Sequence, residues 1–276
     1  MKKAIAGLAG LGVSLAAAVM FVSPVMAANT TAQGLVNANN DKANWLLHHR
    51  TYDGHRYSPL SEVNSTNVKG LQLRFITMLD GLGSAGKVRT PKLQGTPLVE
   101  DGFLYVTDGW NNVYKIDGRS GDRGTTVWKF DPEMDRAYAA DSGCCQGRNR
   151  GVALINDLVI ESTMDGRMIA LDKSSGEIVW QAKTADNDLM ESHTGAPLAL
   201  KNLAINGVTG AEYGIRGHIN AIDVTTGEEA WVKHLIPAPG EPGHETWVDD
   251  YQAWQTGGAS VWQTGTYDPD LNIMYW

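Results

Sequence analysis

Two cysteines stand side by side, Cys144 and Cys145, and they are the chain's two cysteines in 276 residues. Neighbouring Cα atoms lie about 3.8 Å apart, whereas the Cα atoms of a disulfide usually lie about 4.4–6.8 Å apart. A bond between the two sulfurs would therefore close a small strained ring, and such strain is typical of functional sites. The alternative is a pair of free thiols, since unpaired cysteine is often buried. The pair by itself leaves both alternatives open.

A second polar cluster contains His48, His49 and His55. Histidine is a common metal ligand, so the cluster raises the possibility of a metal site. His48 and His49 are adjacent, however, and would point to opposite sides of a strand. No cysteine lies nearby to complete a ligand set. A polar loop therefore explains the cluster better than a metal site does.

The first 27 residues have the pattern of a secretory signal peptide. Lys2 and Lys3 supply a charged start, an apolar run follows from 5 to 22, and Ala27 ends a small-residue cleavage site. The alternative is a membrane anchor, because the apolar run is almost long enough to span a bilayer. Pro24 and the cleavage site favour removal. The pattern predicts export to the bacterial periplasm, where disulfides form, and so favours a bond between the two cysteines.

The composition excludes one class of function and favours one fold class. The formal net charge is −8, and no run of Lys or Arg interrupts the acidic balance, so the chain is a poor candidate for binding nucleic acid. Gly at 31 and Trp at 9 are abundant, while Phe at 4 is scarce. Abundant glycine between short alternating segments predicts an all-β protein with many turns.

The elements that must position these residues come as a repeat. Aspartates recur about 50 residues apart, at Asp117, Asp172 and Asp223. Each unit ends on a tryptophan: Trp128, Trp180 or Trp231. Four strands per unit at this period predict a β-propeller, with the tryptophans packed between adjacent blades. A fourth unit starts near Trp262 and the sequence stops within it, so we expect residues 28–276 to be the N-terminal portion of a longer propeller.

The repeat carries a more specific resemblance. Segments 170–180 and 221–231 resemble the tryptophan-docking repeat of quinoprotein dehydrogenases. Together with the cysteine pair and the Gly-Ala-Glu sequence at 210–212, the chain resembles the methanol/ethanol dehydrogenase family, which uses pyrroloquinoline quinone (PQQ). Further agreement lies in 56–60, 239–247 and 267–271. The resemblance covers essentially the whole mature chain. It implies an eight-bladed propeller, of which this chain holds about the first half.

The resemblance also implies a cofactor site. A disulfide between Cys144 and Cys145 would pack on one face of the planar quinone, and Trp262 would stack on the other. Arg150 matches the family arginine near a quinone carboxylate, a task that suits its planar fork of donors. The remaining implied cofactor contacts are Gln94, Thr194, Thr209, Gly210, Ala211 and Ser260.

The resemblance implies a metal ion as well, either calcium or a lanthanide. Glu212 matches the carboxylate that ligates this hard cation, which prefers oxygen ligands. Two departures from the family pattern stand out. Gln94 occupies a position that is often acidic in the family, so one contact loses its charge. The family's Asn metal ligand and catalytic Asp base match positions beyond Trp276, so this sequence is expected to contain no catalytic residue.

Two hypotheses of function follow. The first is a periplasmic PQQ- and metal-dependent alcohol dehydrogenase that oxidises an alcohol to an aldehyde and passes electrons to a cytochrome c. A homodimer of the full-length form is compatible with it. The second is a non-catalytic periplasmic propeller, such as a scaffold of outer-membrane assembly. Such a scaffold would share the docking repeat but would have no need of the cysteine pair or of Gly210-Ala211-Glu212.

Overall fold

The computed structural model describes residues 30–81, 83–143, 147–247 and 251–276. The predicted signal peptide, residues 1–27, and the cysteine pair lie outside the described residues. The strands in these ranges are β1 Lys92–Leu93, β2 Leu98–Glu100, β3 Phe103–Thr107, β4 Val113–Asp117, β5 Thr125–Phe130, β6 Arg148–Asn149, β7 Ala153–Ile155, β8 Leu158–Ser162, β9 Arg167–Asp172, β10 Ile178–Lys183, β11 Leu198–Leu200, β12 Leu203–Gly207, β13 His218–Asp223, β14 Glu229–His234, β15 Thr266–Asp268 and β16 Ile273–Tyr275.

Short helices punctuate the strands. The α-helices are α1, Ala32–Val36, and α2, Arg136–Ser142; single 3-10 turns lie at Ala38–Asn40, Val68–Gly70, Asn187–Leu189, Ala211–Tyr213, His244–Thr246 and Ala253–Thr256. The N-terminus of α2 is capped by Asp135, whose side chain accepts a hydrogen bond from the Tyr138 N–H. In the described ranges, none of the helices combines the length and apolar character needed to cross a bilayer.

Three four-stranded antiparallel blades confirm the predicted propeller architecture. Their strand orders are β2-β3-β4-β5, β7-β8-β9-β10 and β11-β12-β13-β14, so each blade is a meander in chain order. The β15–β16 hairpin begins the fourth unit. The Asp101-Gly102 turn joins β2 to β3 with both residues at positive φ, as a tight hairpin turn requires.

Tryptophans dock each blade on the next. The Trp128 indole N–H donates to the Lys173 carbonyl oxygen at 3.2 Å, and that of Trp180 donates to the Val224 carbonyl oxygen at 2.8 Å. Each acceptor belongs to the following blade, directly after its β9 or β13 strand. The predicted inter-blade role of these two side chains is therefore visible in the structure. Trp231, at the equivalent place in the third blade, packs partly buried against the apolar cluster of the second and third blades.

The apolar core lies between the blades. One cluster joins the facing sides of the first and second blades and includes Leu98, Tyr105, Val159 and Ile169. A larger cluster joins the second and third blades and includes residues of the segment that precedes the first blade, such as Tyr52. This segment is tied to the third blade by a hydrogen bond from the Tyr52 hydroxyl to the Ala199 carbonyl oxygen at 2.7 Å.

Two connections bring functional candidates to one end of the blades. β1, before the first blade, pairs in parallel with β6, before the second, with Lys92 opposite Arg148. After the third blade, the chain returns along it, and the Val261 N–H donates to the Val208 carbonyl oxygen at 2.8 Å. The segment that leads to Arg150 is thereby fixed beside β1, and the segment around Val261 is fixed beside Val208.

Candidate functional site

A cavity of about 180 Å³ lies where these connections meet. Its described lining consists of Arg148, Arg150, Thr194, Thr209, Glu212, Ser260 and Trp262. Six of these seven residues are ones that the sequence predicts as cofactor or metal contacts. They come from four separate stretches of the chain, so the fold assembles in one place what the sequence holds more than a hundred residues apart.

Arg150 and Trp262 form one wall of the cavity. The guanidinium carbon of Arg150 lies 4.6 Å from the centroid of the Trp262 ring, a cation–π arrangement. Arg150 Nη1 also donates to the Thr194 carbonyl oxygen at 2.9 Å and to its hydroxyl oxygen at 2.8 Å. Trp262 remains 44% exposed, so a broad aromatic surface is open to a ligand.

A backbone bridge holds the segments that carry Thr194 and Thr209, two residues of the cavity lining. Ser192 and Thr209 pair as an isolated antiparallel bridge, and the Thr209 N–H donates to the Ser192 carbonyl oxygen at 2.8 Å. Thr194 lies two residues beyond this bridge, and both threonines are almost fully buried. Their side chains therefore enter the cavity from a rigid base.

Gly210, Ala211 and Glu212 form a turn at the rim. Gly210 has φ +126°, and a Cβ there would lie 2.3 Å from the Met190 carbonyl oxygen, so only glycine fits. The Ala211 N–H donates to the Ser260 hydroxyl oxygen at 2.8 Å, which joins this turn to the returning chain. Glu212 is exposed in the first turn of the following 3-10 helix, with its carboxylate available to a ligand.

Metal coordination would have to use Glu212 in combination with other oxygen donors. In the ranges that the structure describes, no three His, Cys, Asp or Glu side chains converge into a metal-binding group. Hard cations such as calcium take carbonyl, hydroxyl and ligand oxygens as well as carboxylates. The hydroxyls of Thr209 and Ser260 line the same cavity as Glu212.

The other predicted contacts lie beside the cavity or outside the described residues. Gln94 directly follows β1 and is exposed, and it does not line the cavity. Gln94 is nevertheless close to the site in the chain. Two residues later, the Thr96 N–H donates to the Arg150 carbonyl oxygen at 3.0 Å. Cys144 and Cys145 lie outside the described residues, so their bond and their contact with a quinone stay predictions.

Sequence reasoning missed Arg148, which lines the cavity two residues before Arg150. Alternation along a strand was the available signal, because residues i and i+2 share a face. Asn149, between them, is fully buried on the opposite side, and its Nδ2 donates to the Ser162 carbonyl oxygen at 3.2 Å.

The histidine cluster, predicted to be a polar loop, contacts segments beside the cavity. Arg56 Nη1 donates to the His48 carbonyl oxygen at 3.2 Å, and Arg56 Nη2 donates to the Thr96 hydroxyl oxygen at 3.1 Å. Burial lowers the pKa of His48 to about 3, assisted by the charges of His49, Arg56 and Arg150 and opposed by a hydrogen bond to the Arg150 backbone. His48 is therefore neutral at ordinary pH. His49 reaches the other wall, with Nε2 3.2 Å from the Thr264 carbonyl oxygen.

The fold is that of a β-propeller, and the cavity combines an exposed aromatic face with the guanidinium groups of Arg148 and Arg150. A family model described as the PQQ glucose/ethanol/alcohol dehydrogenase beta-propeller domain matches residues 45–276. The chain belongs to this family, as the resemblance predicted.

Individual relatives agree. The quinohemoprotein alcohol dehydrogenase ADH IIB of Pseudomonas putida is 39% identical over 243 residues, covering 84% of this chain and 33% of the relative. ADH-IIG from the same species is 36% identical over 287 residues, covering 98% of this chain and 38% of the relative. The chain therefore spans about a third of the length of these relatives.

Solved structures show the same fold. The quinohemoprotein alcohol dehydrogenase ADHIIG of Pseudomonas putida HK5 superimposes with a TM-score of 0.78 at 35% identity, covering 87% of this chain and 35% of that one. A europium-containing methanol dehydrogenase superimposes with a TM-score of 0.75 at 30% identity, covering 88% of this chain and 44% of that one.

Proposed function

We propose that this chain forms the cofactor-binding part of a PQQ- and metal-dependent alcohol dehydrogenase. The observation that carries the proposal is the shared cavity: Arg150, Thr194, Thr209, Glu212, Ser260 and Trp262 line one space of about 180 Å³. A propeller that served only as a scaffold would have no need of this convergence. The family assignment also favours the enzyme over the scaffold hypothesis.

The donor set of the cavity suits such a cofactor. Trp262 offers an aromatic face for stacking on a flat ring system. Arg150 presents a planar guanidinium for a carboxylate, and its contacts with Thr194 fix its direction. The hydroxyls of Thr209 and Ser260 supply further polar contacts in the cavity. Glu212 would hold calcium or a lanthanide ion, and its carboxylate would offset part of the charge of that ion.

When bound, PQQ supplies a two-electron acceptor: the alcohol loses two electrons and two protons to become an aldehyde, and the quinone becomes the quinol. The residues of this chain would bind and orient rather than exchange protons. Arg150 and Trp262 would hold the cofactor, and Glu212 would hold the metal ion, which would supply a Lewis acid.

Location and electron acceptor follow from the same proposal. The N-terminal pattern of residues 1–27 supports export to the periplasm, where the predicted Cys144–Cys145 bond would form. Two relatives bear the name quinohemoprotein alcohol dehydrogenase, which supports a haem protein as the next electron carrier. We propose that the electron acceptor is a cytochrome c, which would take up the two electrons one at a time.

Cofactor binding by the purified full-length protein tests the proposal. PQQ is titrated into the apoprotein with Ca²⁺ or La³⁺, tryptophan fluorescence and the quinone absorption band are followed, and dye reduction by primary alcohols is measured. We expect saturable binding and alcohol-dependent turnover. Arg150→Gln should weaken binding by about 10- to 100-fold, because it removes a charge-assisted hydrogen bond.

Arg216→Gln is the matched control. Its guanidinium also lies over a tryptophan ring, at 5.0 Å from the Trp254 centroid, and Nη2 lies 2.7 Å from Glu241, but Arg216 is not part of the cavity lining. It should bind PQQ as the unmodified protein does. Absence of saturable PQQ binding with either metal would contradict the proposed function.

A further inference from the structure

Arg148 on the short strand β6 and Arg150 directly after it both line the cavity. β6 pairs in parallel with β1, which places Arg148 opposite Lys92 and Asn149 opposite Leu93. Asn149 is fully buried on the other side, where its Oδ1 accepts a hydrogen bond from the Gly151 N–H at 2.7 Å. Alternation along an extended chain places residues 148 and 150 on the side opposite Asn149, which is the side of the cavity.

The two arginines differ in what holds them. Arg150 Nη1 donates to both oxygens of Thr194, and the guanidinium lies over Trp262. Arg148 also lines the cavity, but its Nε is shielded from solvent and has no hydrogen-bond partner in the described structure. A buried donor on a charged group is costly to leave unpaired, so such a group is expected to meet an acceptor.

The charge of the lining indicates what that acceptor is. Among the described lining residues, Arg148 and Arg150 are cationic and Glu212 is anionic. If a metal ion takes Glu212, two guanidiniums remain for the anionic groups of the ligand. Guanidinium groups bind carboxylates through parallel, charge-assisted hydrogen bonds. PQQ carries three carboxylates, and a single arginine can pair with only one of them at a time.

We propose that Arg148 is a second carboxylate anchor for the quinone cofactor, beside Arg150. This inference rests on the proposed function and adds a contact that the family resemblance does not assign. The partner of Arg148 is a carboxylate of the bound cofactor, which its Nε and terminal nitrogens approach from the β6 side of the cavity. Arg148 is thus a cofactor-binding residue with no part in the redox step.

Binding measurements on the full-length apoprotein separate this role from a structural one. PQQ and its trimethyl ester, in which the three carboxylates are uncharged esters, are each titrated at fixed Ca²⁺ into the unmodified protein, Arg148→Gln and Arg148→Lys. Quenching of tryptophan fluorescence gives the dissociation constants. Thermal unfolding confirms that each variant is folded.

We expect Arg148→Gln to bind PQQ about 10- to 100-fold more weakly, while Arg148→Lys, which keeps the charge, loses less. The trimethyl ester should bind the unmodified protein and Arg148→Gln within about threefold of each other, since Arg148 no longer has a charged partner. Equal loss for PQQ and the ester would mean that Arg148 only supports the shape of the cavity.

The outcomes distinguish the two proposals. If the unmodified protein binds PQQ and Arg148→Gln binds it equally well, the inference about Arg148 is overturned and the proposed function stands. If neither ligand binds the unmodified protein saturably, both are overturned. An unfolded Arg148→Gln leaves the comparison to Arg148→Lys, for which an equal loss for PQQ and ester again overturns the inference.

Discussion

Tryptophans serve two different purposes in two regions of this molecule. At the seams between blades, Trp128 and Trp180 are 9% exposed, and each indole N–H donates to a carbonyl oxygen of the next blade. In the cavity, Trp262 is 44% exposed, and a guanidinium covers part of its ring. Within the protein, the indole N–H of a seam tryptophan is hydrogen-bonded and its ring is buried. Trp262, in contrast, leaves an aromatic face open to a ligand.

At the seams, a glycine turn of the following blade packs against the tryptophan ring. Gly176 and Gly227 lie at positive φ in the tight turns that precede the last strand of the second and third blades. A Cβ at Gly176 would lie 2.7 Å from the Trp128 ring, and one at Gly227 would lie 2.7 Å from Trp180. The same turn that reverses the chain therefore receives the indole of the preceding blade. Among the glycines of the described ranges, none approaches the Trp262 ring in this way, so other segments form its surroundings.

The largest effect should come from removing a seam tryptophan. Trp180→Ala should lower the free energy of unfolding by about 3–5 kcal/mol, because it leaves a large cavity and an unpaired carbonyl group. Trp262→Ala should cost about 1 kcal/mol or less, since Trp262 is half exposed. Urea unfolding of the full-length protein measures both. Equal losses would show that the two tryptophans do not differ as proposed.

Glycine replacement gives a sharper version of the same contrast. Gly227→Ala should cost about 2–4 kcal/mol, because it combines positive φ with a clash against Trp180. Gly240→Ala is the matched control, since Gly240 has φ +87° but nothing within 4 Å of its Cβ position. It should cost about 1–2 kcal/mol from backbone strain alone. If the two variants unfold at the same urea concentration, the close approach to Trp180 contributes nothing.

Acid should weaken both the boundary between the second and third blades and the histidine cluster beside the cavity. At that boundary His193 is fully buried, with Nδ1 3.1 Å from the Gly207 carbonyl oxygen and Nε2 2.8 Å from the Thr184 hydroxyl oxygen. Burial lowers the pKa of His193 to about 4 and that of His48 to about 3. The unfolded chain binds protons near pH 6.5 while the folded protein does not, so stability is full above that pH and falls as the pH decreases toward the folded-state values. Between pH 7 and pH 5 we expect a loss of about 2 kcal/mol for each histidine.

Replacing each histidine singly shows how much of the acid effect on stability comes from that residue. His193→Asn and His48→Asn should each lower the slope of stability against pH, between pH 6 and pH 5, by about 1.2 kcal/mol per pH unit. The baseline stability of each variant cancels from the slope. An unchanged slope in His48→Asn would mean that His48 is protonated freely in the folded protein.

The smallest effect is a loss of stability as the pH rises, and it comes from a buried glutamate of the second blade. Glu161 on β8 is fully buried, and both of its carboxylate oxygens lack a hydrogen-bond partner in the described structure. Burial, with the charges of Asp108 and Asp165, raises the pKa of Glu161 well above its usual range. The folded protein therefore keeps a proton that the unfolded chain releases above about pH 4.3, so this residue costs stability as the pH rises.

Replacement by an apolar side chain should remove that cost. Glu161→Leu should stabilise the protein by about 1–2 kcal/mol at pH 7, with a smaller gain at pH 4.5. Thermal unfolding at the two pH values measures the difference. A gain that is the same at both would show that the protonation of Glu161 does not change on folding.

Repetition made the blades predictable. Asp117, Asp172 and Asp223 each sit at the end of a third strand, and a tryptophan follows in the fourth, so the period alone gave the blade boundaries. Helix α2 was not predicted, because it is an insertion between the first and second blades that no other unit repeats. The convergence of Arg150, Glu212 and Trp262 was predicted only through the family resemblance, since nothing in their spacing brings them together.

The sequence by itself determined the blades and their order, because strand alternation, tight turns and docking tryptophans are local signals that recur in each unit. Tertiary structure alone decided the cavity. The pairing of β1 with β6 holds the strand that carries Arg148 beside the cavity. The bridge between Ser192 and Thr209 holds the segments that carry Thr194 and Thr209. Such contacts join residues that are distant in the chain, and their geometry depends on how neighbouring blades are rotated against one another. That rotation is fixed only when the seams have packed.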